Sequence, residues 1–221
     1  MDKIKKTDHF YLIDGSGYIF RAYYALPPLT RKSDGLPVGA VSGFCNMLFK
    51  LLEDSKSNEN LQKPTHFAVI FDSARKTFRN EIYTDYKANR SEAPDDLVPQ
   101  FEYIRKSVTA FNLPSIELPN YEADDLIATY TEQILSKGAK VTVVSSDKDL
   151  MQLYKKDVRL FDPMKNKFIT PEDIKIKFGV DPKKIIDVQS LAGDSSDNVP
   201  GVPGIGVKIA AELINKYDTL E

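Results

Sequence analysis

"VTVVSSDKDL" (141–150) is the stretch on which the fold turns. Val141, Val143 and Val144 make a short β-branched run of the kind buried inside a parallel sheet. Asp147 and Asp149 follow where that strand must end. Like charges crowded at a sheet edge are unfavourable unless something compensates them. Two other strand-like runs also end on an acid: "FYLID" (10–14) on Asp14 and "HFAVIFD" (66–72) on Asp72. "VRLFD" (158–162) is a weaker fourth strand candidate. Helical periods lie between them at 38–54, 95–111 and 122–136, the last carrying Leu126, Ile127, Tyr130 and Ile134 on one face. This alternation predicts an α/β fold with a mostly parallel central sheet, flanking helices and right-handed crossovers. From 162 onward the pattern changes. "DPMKNKF" reads as turn and loop, and the remainder as helix punctuated by Gly and Pro. The boundary is placed near 170, giving parts 1–170 and 171–221.

In an open parallel sheet the strand C-termini share one edge, and ligands bind there. Asp14, Asp72, Asp147 and Asp149 are therefore expected to be neighbours. "NYEADDLIA" (120–128) adds Glu122, Asp124 and Asp125 in the first turn of a helix, and "GDSSDN" (193–198) adds Asp194 and Asp197. Helical spacing puts Glu122 and Asp125 on one face and turns Asp124 aside. Nine carboxylates on one rim require protons or cations. Oxygen donors without His or Cys suit Mg²⁺ or Mn²⁺ rather than zinc. Nine exceed the needs of one Mg²⁺, so the pattern implies a two-ion site, with ions roughly 3.5–4 Å apart clamping a phosphoryl group. Singly, each acid also has a plainer role, favouring a helix dipole or a turn. Their recurrence at four equivalent places favours the metal reading.

With 221 residues, 42% hydrophobic and 28% charged, the chain can bury a real core. No apolar run approaches a bilayer span, and "MDKIKKTDHF" has no signal-peptide core. Cys45 is the one cysteine and sits in an apolar helical pattern, "VSGFCNMLFKLL", as a buried structural thiol with no disulfide partner in the chain, which points to the cytoplasm. His9 and His66 have no partner at zinc-ligand spacing. The net charge of −2 conceals a segregation: nine of the 32 acids belong to the rim, leaving a cationic remainder around it. Residues 75–90, "RKTFRNEIYTDYKANR", interleave Arg75, Lys76, Arg79, Lys87 and Arg90 with Phe78, Tyr83 and Tyr86. Cations for phosphates and flat rings for unpaired bases suit single-stranded nucleic acid, although Glu81 and Asp85 also allow an ordinary solvated helix. "NVPGVPGIGVKIAAELI" places Gly201, Gly204, Gly206 and Lys208 just before and within a helix start, where bare backbone N–H groups favour anions. It lacks the spacing of a nucleoside-triphosphate loop.

"YLIDGSGYIFRAYYA", "FDSARKTFRNEIYTDYKANR", "YEADDLIAT", "VSSDKDLMQL" and "LAGDSSDNVPGVPGIGVKIAAELI" together resemble the N-terminal 5′-nuclease domain family of bacterial DNA polymerase I, within the flap endonuclease superfamily. The resemblance runs from about residue 10 to the end, in the family's order. It implies that Asp14, Asp72, Glu122, Asp124, Asp125, Asp147, Asp149, Asp194 and Asp197 are the acidic metal-binding residues. It implies a helical arch at about 74–93, with Lys87 and Arg79 on the scissile phosphate, Tyr86 stacking near a displaced base and Arg21 on another phosphate. Arg75, Lys76, Phe78 and Arg90 belong to the same DNA-binding segment. It further implies a PIN-like nuclease fold whose glycine turn is a helix–hairpin–helix grip on duplex backbone, with K⁺ able to bridge hairpin and phosphate. The implied substrate is DNA with 5′ flaps, nicks or ends, including RNA primers on DNA, cut by a nucleoid-associated monomer. Family members continue beyond the "NKYDTLE" stretch with further helices and, in polymerase I, a polymerase. A PIN-type ribonuclease, a non-catalytic branched-DNA binding module and a phosphotransfer domain are the alternatives. The last lacks the second acid such phosphatases need in "LIDGSG".

Overall fold

The computed structural model describes residues 3–57 and 63–221. A six-stranded sheet runs through its middle: β1 (His9–Asp14), β2 (His66–Ile70), β3 (Ser115–Ile116), β4 (Lys140–Val144), β5 (Val158–Asp162) and β6 (Lys167–Ile169). Their spatial order is β3-β2-β1-β4-β5-β6, parallel throughout except for the β5–β6 hairpin. The order reverses between β1 and β4, and a crevice opens at that switch point outside the strand C-termini. Asp14 closes β1 on one side of it, and Ser145–Asp147 leave β4 on the other.

Alternation along the strands divides the core in two. Tyr11 and Ile13 of β1, Val69 of β2 and Val144 of β4 face one cluster with α1 (Gly15–Ala25), α2 (Gly39–Ser57) and α4 (Gln100–Ala110). Leu12, Ala68, Ile70, Val141 and Val143 face the other, beneath α5 (Ala123–Ser136) and the C-terminal helices. Those are α6 (Pro171–Phe178), α7 (Ile185–Ala192) and α8 (Val207–Tyr217), whose Ile174, Phe178, Ile185, Val188, Ala210 and Ile214 are all buried in it. The C-terminal helices thus share one core with the sheet.

Three elements escape the periodicity argument. α1 begins on "GSG", weak helix formers, and is started by Asp14, whose carboxylate accepts the Gly17 N–H at 2.8 Å. β3 is two residues long and leaves no pattern. The segment around 162–170, expected as turn and loop, carries the antiparallel edge strand β6: Asp162 Oδ1 accepts the amides of Met164 (2.8 Å) and Lys165 (3.3 Å) and folds the hairpin. Residues 74–93, expected as a helical arch, are helical only in α3 (Phe78–Ile82) and otherwise turn through 84–90. Cys45 lies half-buried in α2.

Candidate metal centre and nucleic-acid interface

The rim acids sort into three groups. Asp14, Asp72, Asp124 and Asp147 form the first, from buried Asp14 to exposed Asp147. Asp14 is 7% exposed, and burial pushes its carboxyl up to about 6, against the pull of the Gly17 amide and the Ser145 hydroxyl, with Asp72 and Asp147 adding repulsion. Asp124, in the first turn of α5, is raised well above the carboxylate range, first by burial and then by Asp14, Asp147 and Asp72. Helical spacing turned Asp124 aside from Glu122 and Asp125, and aside proves to be toward the crevice.

The second group is Asp149 and Asp194. Asp149 starts a 3-10 turn (Asp149–Leu153), its N–H donating to Asp147 Oδ1 at 2.8 Å. Burial raises its carboxyl, opposed by the Gln189 amide at 2.5 Å. Lys148 reaches Asp194 at 2.7 Å and, with the Ser196 hydroxyl and amide, holds that carboxyl below its usual range against burial.

The third group is clasped by the basic segment. Lys87 Nζ lies 2.8 Å from Glu122 Oε2 and 3.8 Å from Asp197 Oδ2. The Tyr86 hydroxyl donates toward both, at 3.1 and 3.2 Å. Arg79 makes a bidentate pair with Asp125 at 2.7 and 2.8 Å, and Arg90 pairs with Asp197. Asp125 also accepts the Glu122 N–H at 2.9 Å, so part of its role is the plain one of starting a helix.

Several expectations meet a different geometry. Arg79 faces a carboxylate. Tyr86 is 9% exposed, with Lys87 and Arg79 over its ring at 5.0 and 5.9 Å, so the ring expected to stack on a base is covered. Phe78 leans on Tyr121 at 5.6 Å with Arg79 at 4.7 Å from its ring centre. Arg21 reaches Met164 of the hairpin and borders a cavity of about 260 Å³ shared with Asp14, Ser145 and Asp147. Arg75 contacts Arg90's carbonyl and Glu92, and Lys76 is exposed. Another cavity, of about 300 Å³, lies beside Lys87 and Arg90, between apolar Ile19, Phe20 and Phe101 and polar Asp72 and Arg105.

Sequence reasoning missed the groups that aim these acids. Ser145 Oγ donates to Asp14 at 2.8 Å and accepts the Asp147 N–H at 3.0 Å. Arg105 lies over the Phe71 ring and donates to the Asp72 carbonyl at 3.0 Å, and Asp72 itself accepts the Ala123 N–H at 2.7 Å. Only the hydroxyls of "SSD" next to an acid were a visible signal.

Among the described residues, no three acidic, His or Cys side chains stand close enough to hold an ion in the positions they occupy. Most are drawn instead onto the protein partners just named. The donor set still fits a hard divalent cation: it is all oxygen, and the charges of Asp14 and Asp124 are disfavoured by burial and then by neighbouring acids in a way such a cation would relieve.

The C-terminal residues build a hairpin between α7 and α8. Gly193 and Gly201 pass so closely that a Cβ on Gly193 would sit 2.3 Å from Gly201 N. Gly204 turns at φ 79° with open space about it, Gly206 precedes α8, and Lys208 is exposed in its first turn.

Residues 9–179 match the family model of the 5′-3′ exonuclease N-terminal resolvase-like domain, and 180–221 that of the 5′-3′ exonuclease C-terminal SAM fold. The chain belongs to the 5′-3′ exonuclease family. A 5′-3′ exonuclease of Aquifex aeolicus is 43% identical over 96% of this chain and 70% of its own length. A DNA polymerase I of Rhizobium leguminosarum is 58% identical over 99% of this chain, which spans 22% of that protein. A bacteriophage T5 flap endonuclease variant, solved as a pseudo-enzyme–product complex with DNA and metal ions, superposes with a TM-score of 0.75 at 22% identity. It covers 96% of this chain and 76% of that one. This exonuclease fold therefore places its acids at the edge that the switch point had already singled out.

Proposed function

We propose that the chain is a structure-selective 5′-nuclease. It hydrolyses DNA phosphodiesters near junctions of a 5′ single strand and a duplex, leaving a 5′-phosphate, in primer removal and repair within the bacterial cytoplasm. The observation that carries this reading is the gathering of Asp14, Asp72, Asp124 and Asp147 at the switch-point edge, beside Glu122 and Asp125, which hold Lys87 and Arg79. Membership of the exonuclease family supports it.

The nine rim acids would hold two Mg²⁺ ions, for which Mn²⁺ can substitute. Divalent ions at a phosphodiester supply Lewis acidity and lower the pKa of water. The chain's own groups do the rest. Lys87, paired with Glu122, is the cation best placed to turn onto a phosphate oxygen and stabilise charge developing there. Arg79 and Arg90 hold Asp125 and Asp197 in place, and present their remaining N–H groups to the strand. The cavity of about 300 Å³ bounded by Phe20 and Phe101 offers an apolar wall to an unpaired nucleotide. At the far end, the Gly201–Gly206 hairpin and Lys208 grip the duplex backbone without reading sequence, with K⁺ as a bridging ion.

A 5′-flap cleavage assay with Mg²⁺ titration and an EDTA control tests this. Mg²⁺-dependent release of the flap from DNA is expected. Binding without cleavage, or cleavage of single-stranded RNA in preference to the DNA flap, overturns the proposal.

A further inference from the structure

Two segments more than a hundred residues apart hold each other across this site. The Lys87 N–H donates to the Asp197 carbonyl at 2.8 Å, Asn89 Nδ2 to the Ser195 carbonyl at 2.8 Å, and Arg90 Nε to the Ser196 carbonyl at 3.3 Å. In the opposite direction, Asn198 Nδ2 donates to the Asp85 carbonyl at 2.7 Å. Lys87 and Asn198 both lie in the left-handed region, at φ 55° and 57°. For asparagine that conformation is inexpensive, whereas lysine adopts it only where surrounding contacts impose it. The clasp therefore has a donor suited to its backbone at 198 and a strained lysine at 87.

We propose that Asn198 is a positioning residue for the nuclease reaction, an inference that rests on the functional reading above. By holding the Asp85 carbonyl, it fixes the register of residues 85–90 on residues 195–198. The Lys87 ammonium then lies between Glu122 and Asp197, at 2.8 and 3.8 Å. A lysine side chain is a flexible stem with a point charge, so its aim depends on how its backbone is held. The Lys87 backbone is held by Asp197, and the segment leading into it by Asn198. Small displacements of a group acting on a transition state are costly in rate, while the substrate is gripped elsewhere by the hairpin and the remaining cations.

Two substitutions separate positioning from folding. Asn198→Gly keeps the positive φ and removes the amide donor; Asn198→Asp keeps the shape but turns an acceptor toward the Asp85 carbonyl. Steady-state cleavage of a 5′ flap under saturating Mg²⁺ gives kcat and KM, and amide hydrogen exchange follows the Lys87 N–H against those of residues 9–14. Both variants are expected to lose roughly tenfold or more in kcat with KM nearly unchanged. Exchange at Lys87 should quicken, and that of residues 9–14 stay as in the parent. Unchanged kcat, or unchanged exchange at Lys87, sinks the proposal. Faster exchange in residues 9–14 as well sinks it too, because Asn198 would then merely stabilise the fold. A parent protein that cleaves nothing would refute the nuclease reading instead, leaving the exchange comparison to decide the clasp.

Discussion

Lys87 Nζ lies 2.8 Å from Glu122 Oε2, a pair joining the turn-rich basic segment to the first residue before α5. The ammonium is thereby kept at the acidic edge, compensating a carboxylate that is only 8% exposed. Replacing Lys87 by Ala removes both services. Single-turnover flap cleavage should fall by about 10²–10³-fold, the usual effect of deleting one group that stabilises transition-state charge. Chemical denaturation should show a loss of about 1–3 kcal/mol from leaving Glu122 without its charged partner.

Asp14 gives the protein a recognisable pH signature. Its folded-state pKa of about 6 lies above the ordinary value of 3.8, so between those pH values the folded chain binds more protons than the unfolded one. Stability therefore declines as pH rises from about 4 to about 6, by roughly 3 kcal/mol for this group alone. Asp14→Asn should flatten that part of the stability profile measured by urea unfolding in EDTA. A divalent cation stabilises the same buried charge, so Mg²⁺ should raise Tm more at pH 7.5 than at pH 5.5.

Gly17 marks where helix and carboxylate meet. A Cβ there would fall 2.6 Å from Asp14 Oδ2, so Gly17→Ala must push the carboxylate off its present line. Alanine is also the better helix former, by about 1 kcal/mol, which offsets part of the clash. Flap cleavage should therefore drop by more than tenfold while the thermal midpoint by circular dichroism moves little. A variant with parental activity would show that Asp14 can shift without consequence.

Lys208 stands exposed at the start of α8, beside the hairpin. If it neutralises one backbone phosphate, Lys208→Ala should weaken duplex binding to the same degree for unrelated sequences. The slope of log K against log salt should become shallower by about one. Fluorescence anisotropy at several salt concentrations measures both. A sequence-dependent loss would contradict a purely backbone grip.

The acids at the strand ends were readable because two simple rules converge on them. β-branched runs such as "VTVV" are buried strands, and strands joined by helices run parallel, so acids just past their ends share one edge. Where the rules had less to work with, the reading stopped short. β6 is three residues long and depends on Asp162 folding the hairpin. α1 depends on an aspartate cap rather than on helix-forming residues. The basic segment carried no sign that its tyrosine would be buried against carboxylates instead of presented to a base.

Chemical identity travels with the chain, so the amino-acid order alone specified an oxygen-rich edge, a cationic strip, a glycine hairpin and the alternation that splits the core. Which acid answers to which partner was set by packing. Arg79 meets Asp125, Lys87 meets Glu122 and Asn198 meets Asp85 across 46, 35 and 113 residues. Contacts of that range depend on the angles at which α5, the basic segment and the α7–α8 hairpin dock on the sheet, and no local periodicity encodes those angles. For the same reason Asp124, turned aside on its helix, faces Asp14, Asp147 and Asp72 once α5 is laid against β4, β1 and β2.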